Sequence, residues 1–417
     1  MGAPAARAAE LACHWSEAGH DVSVLTGFPN HPTGVVPQEW RSRLRRLTFR
    51  EQFGRATVFR TWLWPLPNRK THERVRNYAS FFVSASIRGL GIPRPDVIIG
   101  SSPQLLVALA GWWLSFARSL PFVFEVRDLW PESLTGVGIG NEDSLLHHGL
   151  SAIARFLYHR SDLIVVVSPA FREHLVEHWQ VSPKKIAVVE NGVESHTFKP
   201  MDASSDEALR RELGAEGKFL VSYIGTMGNA HGLETLLDAA RTLQSSNPNV
   251  QFLLVGEGAE KAQIQSRAQS NGLTNVQFLD QQPRARIPAL ISASNACLVL
   301  LKKADIFKTV IPTKMLEFMS CARPVILAVE GQAQHIIEEA NAGIAIAPQN
   351  ASAFAEAIAR LATDRNLCQM LGQNGRLYIE KNFSRRQTAE KFIQILRALV
   401  GETDADRTNH RGRDTKP

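Results

Sequence analysis

The stretch from Lys308 to Leu327, KTVIPTKMLEFMSCARPVIL, reads as a loop, a short helix carrying one acid, and an apolar strand. Pro312 suits a helix start, where the backbone N–H groups of Thr313 and Lys314 lack intrahelical acceptors and the lysine adds positive charge. Glu317 falls on the same face one turn on. A diphosphate and a pair of sugar hydroxyls would use this set, although an ordinary surface helix would also explain it. A second stretch, FLVSYIGTMGNAHGL from Phe219 to Leu233, is an apolar strand that stops at Gly225, turns through Gly228 and enters a segment with helical spacing. Strand, glycine turn and helix N-terminus form a general device for holding phosphate. The spacing G-x-G-x-x-G is absent, so a nicotinamide or flavin cofactor is not favoured.

The elements that position these residues recur in two halves. Apolar runs of strand type occur at 21–26, 56–61, 96–101, 121–126, 162–168 and 185–191, then at 218–225, 250–256, 275–280, 296–301, 324–329 and 343–348. Runs apolar on both faces and alternating with helical stretches imply parallel sheets buried by helices. The fold class is therefore α/β, with two doubly wound Rossmann-like lobes and a ligand cleft at the carboxyl ends of their strands. A length of 417 residues agrees with more than one core. The expected division is 1–192 and 193–381, with the turn-rich stretch from Asn191 to Ala203 as hinge. A terminal helix follows at 382–400, and the polar tail 401–417 predicts disorder. The apolar run Leu105 to Ala117 is too short for the roughly 20 residues of a spanning helix. Cys13, Cys297, Cys321 and Cys368 lie far apart without C-x-x-C spacing, which suits a reducing compartment and argues against zinc.

The motifs RDLWPES, VVENGVE, YIGTMGNAHGLETLL, VGEGAEK and IPTKMLEFMSCARPVI, taken in this order, resemble the retaining glycosyltransferase family 4 of GT-B fold. The match is closest to its bacterial surface-polysaccharide branch, the colanic acid and fucosamine transferases. The resemblance implies transfer of a sugar from a nucleotide-sugar donor, UDP- or GDP-linked, to a polyprenyl-diphosphate-linked saccharide at the cytoplasmic face of the inner membrane. It implies no further cofactor and no enzyme nucleophile, with retention on the front face of the sugar. Glu317 would accept the ribose hydroxyls. Asn191, Gly256 and Gly258 fall in matching motifs, and Lys314 and Lys302 are candidates for the diphosphate. Arg127 and Asp128 leave a strand end where many relatives carry a histidine; Asp128 would orient the acceptor, stabilise an oxocarbenium-like centre, or simply cap the next helix.

Three departures stand out. Thr226 and His231 occupy places where relatives carry Arg and Lys, which shifts the phosphate burden to Lys302, Lys303 or Lys314. Thr309 replaces the first of the family's paired glutamates, a change that a deoxy or N-acetylated deoxy sugar donor would tolerate. The chain also opens directly in the glycine loop that usually follows a buried first strand. The first lobe is thus expected to lack a strand, with an in-frame upstream segment supplying it; Gly2 and Ala3 would then lie close to the donor phosphate, with Arg7 one turn into the helix.

Between residues 39 and 88, eleven arginines and Lys70 face only Glu39, Glu51 and Glu73, with Trp40, Phe49, Phe53, Phe59, Trp62 and Trp64 interleaved. Such a surface fits an anionic membrane, and the enzyme is expected to be peripheral on its cytoplasmic side. No recognised nucleic-acid module accompanies it, so nucleic acid is not expected as a partner. No H-E-x-x-H or D-x-D spacing points to a metal. Two other classes remain open: a nucleotide-sugar epimerase of the same architecture, which would convert donor alone, and a non-catalytic subunit of a polysaccharide assembly, which would bind without transfer.

Overall fold

A computed structural model describes residues 3–30, 34–67, 70–136 and 143–413. Gly2 lies outside the described residues, and Ala3 is the first residue of helix α1. The chain forms two compact units: one runs from Pro4 to Glu190, apart from a stretch that begins at Glu132, and takes back the chain from Thr388, and the other holds that stretch and Asn191–Gln387.

The first unit contains α1 (Ala3–Glu17), β1 (Ser23–Gly27), α2 (Gln38–Leu44), β2 (Thr48–Phe53), β3 (Ala56–Thr61), α3 (Thr71–Gly89), β4 (Ile98–Ser101) and α4 (Leu105–Arg118). It continues with β5 (Phe122–Val126), α5 (Glu132–Gly136, which groups with the second unit), α6 (Leu145–Arg160), β6 (Leu163–Val166), α7 (Pro169–Glu177) and β7 (Ile186–Val188). Its strands fall into two sheets, β1-β3-β2 and β4-β5-β6-β7. All pairings are parallel except β2 with β3, an antiparallel hairpin whose first strand is not among the expected doubly apolar runs. The reason is plain in TFREQF: only its two phenylalanines are apolar, and Thr48, Arg50 and Gln52 on one face meet water. β1 and β4 each end a sheet and are only partly buried, whereas β5 is buried throughout. Helix α3, packed on β1 and β3, and α4, packed on β4, join the two sheets by packing on each other. Gly89 allows this approach, since a Cβ there would overlap the Leu114 side chain.

The second unit contains α8 (Ala203–Glu212), β8 (Phe219–Ile224), α9 (Glu234–Ser246), β9 (Val250–Val255), α10 (Lys261–Ser270), β10 (Val276–Leu279), α11 (Ile287–Ala293) and β11 (Ala296–Leu300). Then come α12 (Thr313–Ser320), β12 (Val325–Ala328), α13 (Gln332–Ala340), β13 (Gly343–Ala345), α14 (Ala351–Thr363) and α15 (Arg365–Asn382). Its sheet is parallel throughout in the order β10-β9-β8-β11-β12-β13. That order reverses direction between β8 and β11, the place where open α/β sheets hold ligands at their strand ends. Every residue of β8 and β11 is buried, which explains their unbroken apolar runs.

The last helix, α16, spans Arg385–Arg413, so it continues past Gly401 into the segment expected to be disordered; no proline interrupts it before Arg413. Its Ala389, Phe392 and Leu396 share a core with Leu11, Val123, Val165 and Val189 of the first unit. Trp15 fixes the contact, with its ring edge-on to Phe392 at 5.3 Å and its indole N–H donating to the Ala389 carbonyl at 3.0 Å.

Candidate functional site

At the end of β8 the chain turns at Gly225 and drives Met227, fully buried, against the end of β9. The Gly225 N–H donates to the Val255 carbonyl and the Met227 N–H to the Glu257 carbonyl, both at 2.9 Å; the Glu260 N–H returns to the Met227 carbonyl at 3.0 Å. Two of the amide donors expected to meet phosphate are thus already committed. Gly256 and Gly258 exist for this interlock, because a Cβ on either would overlap the carbonyl oxygen of Gly225 or Met227. A 3-10 turn at Asn229–His231 then leads to α9, so the glycine turn does not open directly on that helix.

The position left for an anion is marked by Lys314. It is the second residue of α12, whose N-cap Pro312 offers no side-chain cap, so the N–H groups of Thr313 and Lys314 remain at the open end of the helix. The lysine stem is half-buried and folds back so that Nζ lies 4.2 Å from the Tyr223 ring centroid, beside Gly225. That amine is buried and has no hydrogen-bond partner among the described residues. Burial pushes its pKa down to about 7 against the opposing pull of Glu317. A buried ammonium without a partner is costly, so the site is electrostatically incomplete until an anion arrives.

Around Lys314 stand the other residues of the turn. Tyr223 donates its hydroxyl to the Thr226 carbonyl at 2.5 Å, and burial raises its pKa. His231 has Nδ1 3.1 Å from the Gly228 carbonyl; burial, then Lys314, push its pKa down to about 3, so it is neutral at physiological pH. It does not replace the charge of the lysine expected at that place. Lys302 follows β11 and ties its end to the turn: its N–H donates to the Ala230 carbonyl at 2.8 Å and its amine bonds to Asn229, with Glu260 at 4.0 Å. Lys303 is exposed, and its backbone N–H donates to Gln349 at 3.2 Å.

Glu317 is buried and is held by Arg284, whose Nη1 is 2.7 Å from its Oε1. The same guanidinium lies 4.6 Å over the Phe198 ring, and Ser320 of α12 donates to the Phe198 carbonyl at 2.6 Å. Arg284 was invisible to the sequence reading, since it lies 33 residues before its partner in an unremarkable turn. Thr309 bonds its own turn, donating to the Ile306 carbonyl at 2.6 Å. Lys314, Lys302, Gly225, Thr226, Gly228, His231, Gly256 and Gly258 therefore converge, and Pro312, Thr313 and Glu317 share the α12 segment.

Arg127 and Asp128 belong to the first unit. Their N–H groups donate to the Ser102 hydroxyl at 2.7 and 3.2 Å, which fixes the backbone after β5. Asn191 opens the main stretch of the second unit, where Val193 pairs with Ser384. Arg7, one turn into α1, is 1% exposed and engaged in the first unit, where Glu125 lies within reach at the end of β5.

Comparison with known proteins gives this geometry its family. Residues 2–192 match a glycosyl transferase 4-like domain and residues 205–378 match the glycosyl transferases group 1. The chain belongs to the group 1 glycosyltransferases. It is 25% identical over 388 residues to a putative colanic acid biosynthesis glycosyl transferase, WcaI of Escherichia coli K12, covering 91% of this chain and 92% of that one. Its fold is that of sucrose-phosphate synthase from Thermosynechococcus elongatus, with a TM-score of 0.75 and 22% identity over 94% of this chain and 92% of that one. It is also that of Anabaena HepE, solved with UDP-glucose, at a TM-score of 0.66 and 17% identity over 90% and 99% of the two chains. These are two-lobed GT-B folds, and this glycosyltransferase has the same architecture.

Proposed function

We propose that the protein moves a sugar, with retention of configuration, from a nucleoside-diphosphate sugar to a polyprenyl-diphosphate-linked saccharide in the assembly of a bacterial surface polysaccharide. The observation that carries this reading is the buried, unpartnered amine of Lys314 beside the glycine turn at the β8/β11 reversal. An anionic leaving group placed there meets the amine and the N–H groups of Thr313 and Lys314 as charge develops on it. Glu317, oriented by Arg284, accepts the ribose hydroxyls one turn along. The C1–O bond breaks with its electron pair going to the diphosphate. The acceptor hydroxyl bonds to C1 on the same face and passes its proton to a leaving phosphate oxygen. Asp128, backed by Arg127, orients the acceptor. The bond between WcaI and colanic acid in name, and UDP-glucose in HepE, support the polysaccharide setting and a UDP- or GDP-linked donor.

The acceptor's lipid would keep the reaction at the cytoplasmic face of the membrane, with the enzyme bound peripherally. No helix among the described residues is long and apolar enough to cross a membrane.

A panel of nucleotide sugars tests the donor half. One UDP- or GDP-sugar at 100 times its Kd is expected to stabilise the fold by about 2.7 kcal/mol, read as a raised unfolding midpoint. Protection by none of the panel would remove the nucleotide site. Conversion of a donor to its epimer without acceptor would replace transfer by epimerisation.

A further inference from the structure

A nucleoside diphosphate that sets its ribose on Glu317 and its phosphates at Lys314 lies along α12, so the sugar at its far end extends past the open start of that helix. The element that precedes α12 there is the 3-10 turn Asp305–Thr309. The turn is fixed in place: Phe307 is buried, and a Cβ on Gly331 would overlap the Lys308 carbonyl oxygen. Its polar side chains are committed. Thr309 donates its hydroxyl to the Ile306 carbonyl at 2.6 Å, and the Lys308 amine binds Asp305 at 2.7 Å with Glu330 at 3.9 Å. Asp305 and Glu330 thus answer one lysine, and Thr309 carries no carboxylate.

Helix α5 brings an acid to this turn from far away in the chain. It follows RDLWP in sequence, yet it groups with the second unit and packs on the turn Asp305–Thr309. Its first residue, Glu132, is half-buried. The next is Ser133, whose hydroxyl oxygen is buried with no hydrogen-bond partner among the described residues. A buried hydroxyl left in that state costs free energy that a bound polar group would recover. A carboxylate accepts two hydroxyls at once, and a serine hydroxyl both donates and accepts, which matches a vicinal pair on a sugar ring. We infer that Glu132, with Ser133 beside it, accepts neighbouring hydroxyls of the donor hexose, in place of the acid that Thr309 lacks. The donor is then a hexose with free hydroxyls at C3 and C4, across the ring from the diphosphate, and not one selected for lacking them. The inference rests on the nucleotide-sugar reading of the proposed function.

Binding calorimetry on the full chain separates the sugar from its nucleotide. The ligands are UDP-glucose and GDP-mannose, the 3-deoxy and 4-deoxy forms of each, and UDP and GDP alone. The parent is expected to hold one of the two sugars at least about tenfold more tightly than its deoxy forms, because a site built to bind a hydroxyl rejects the analogue that leaves it unpaired. Glu132→Ala should erase that preference and weaken the hydroxylated sugar at least about tenfold, with the affinity for UDP or GDP unchanged. Glu132→Gln, which keeps the shape if the alanine variant does not fold, should weaken it about fivefold, the difference between a charged and a neutral hydrogen bond. A loss of UDP or GDP affinity in step with the sugar, or a preference that survives both substitutions, overturns the inference. So does a parent that binds UDP or GDP and is indifferent to the deoxy changes. A parent that binds neither UDP nor GDP fails the proposed function, and the inference with it.

Discussion

Replacing Lys314 by methionine should weaken nucleoside-diphosphate binding by about 1.5–3 kcal/mol, the range for hydrogen bonds to a charged group, or roughly 10- to 150-fold. Methionine keeps the stem over Tyr223, so the loss belongs to the amine. Its pKa near 7 adds a pH signature. A bound diphosphate favours the ammonium, so above about pH 7 binding must take up a proton and affinity should fall by up to tenfold per unit. Working from pH 7.5 to 9 keeps the terminal phosphate of the ligand, which titrates near 6, out of the reading. The free protein should show the opposite trend in stability. Its folded-state lysine binds a proton less readily than the unfolded one, so stability should rise between about pH 7 and the ordinary lysine range, and Lys314→Met should abolish the rise. Calorimetry in two buffers of different ionisation enthalpy measures the proton uptake. Affinity independent of pH in the parent would place the amine away from the phosphate.

Arg7→Met should be among the most damaging single changes to stability. Its Nε lies 2.8 Å from Glu125 Oε1, and its other nitrogens donate to the carbonyls of Glu190 at 3.0 Å and Val189 at 3.1 Å. It thereby ties α1 to the ends of β5 and β7. Ser101 supplies a further bond to Glu125 at 2.6 Å. Burial alone would raise the Glu125 pKa, but Arg7, Arg127 and Ser101 outweigh it and hold the carboxyl below its usual value. Removing the guanidinium strands a buried carboxylate, at a cost of about 3–5 kcal/mol, whereas Arg7→Met with Glu125→Leu should recover much of that loss. The lowered pKa means that this stabilisation is complete above the unfolded-state value near 4.5 and is lost as pH falls through the folded value. Urea unfolding at pH 7 and pH 4 measures both effects. A single-variant cost under about 1 kcal/mol would show that water reaches the pair.

The strands of both units were legible because a parallel strand covered on two sides must be apolar on two sides, as in FLVSYI and ACLVL. β2 escaped for the complementary reason, since one of its faces is wet. The chain passes from the first unit to the second between Glu190 and Asn191, next to the turn-rich stretch from Asn191 to Ala203. The α12 segment could be read because its chemistry is local: proline, lysine and glutamate lie within six residues. What the sequence concealed was long-range commitment. Nothing near Arg7 points to Glu125, and nothing near Glu317 points to Arg284. The amides of the glycine turn are bonded to β9 and its sequel, although their spacing suggested free donors.

The central claim is that α12 holds the nucleotide of a sugar donor during transfer to a lipid-linked saccharide. The most direct measurement is transfer of labelled sugar from the protective nucleotide sugar to a polyprenyl-diphosphate saccharide, run with the parent and with Glu317→Ala beside a nucleoside-diphosphate binding titration. The parent is expected to label the lipid with retained anomeric configuration. The variant should lose both labelling and nucleotide affinity, because its carboxylate is the only acid on α12. A variant that binds the nucleotide as tightly as the parent, or a parent that binds donor but labels no lipid acceptor, would contradict it.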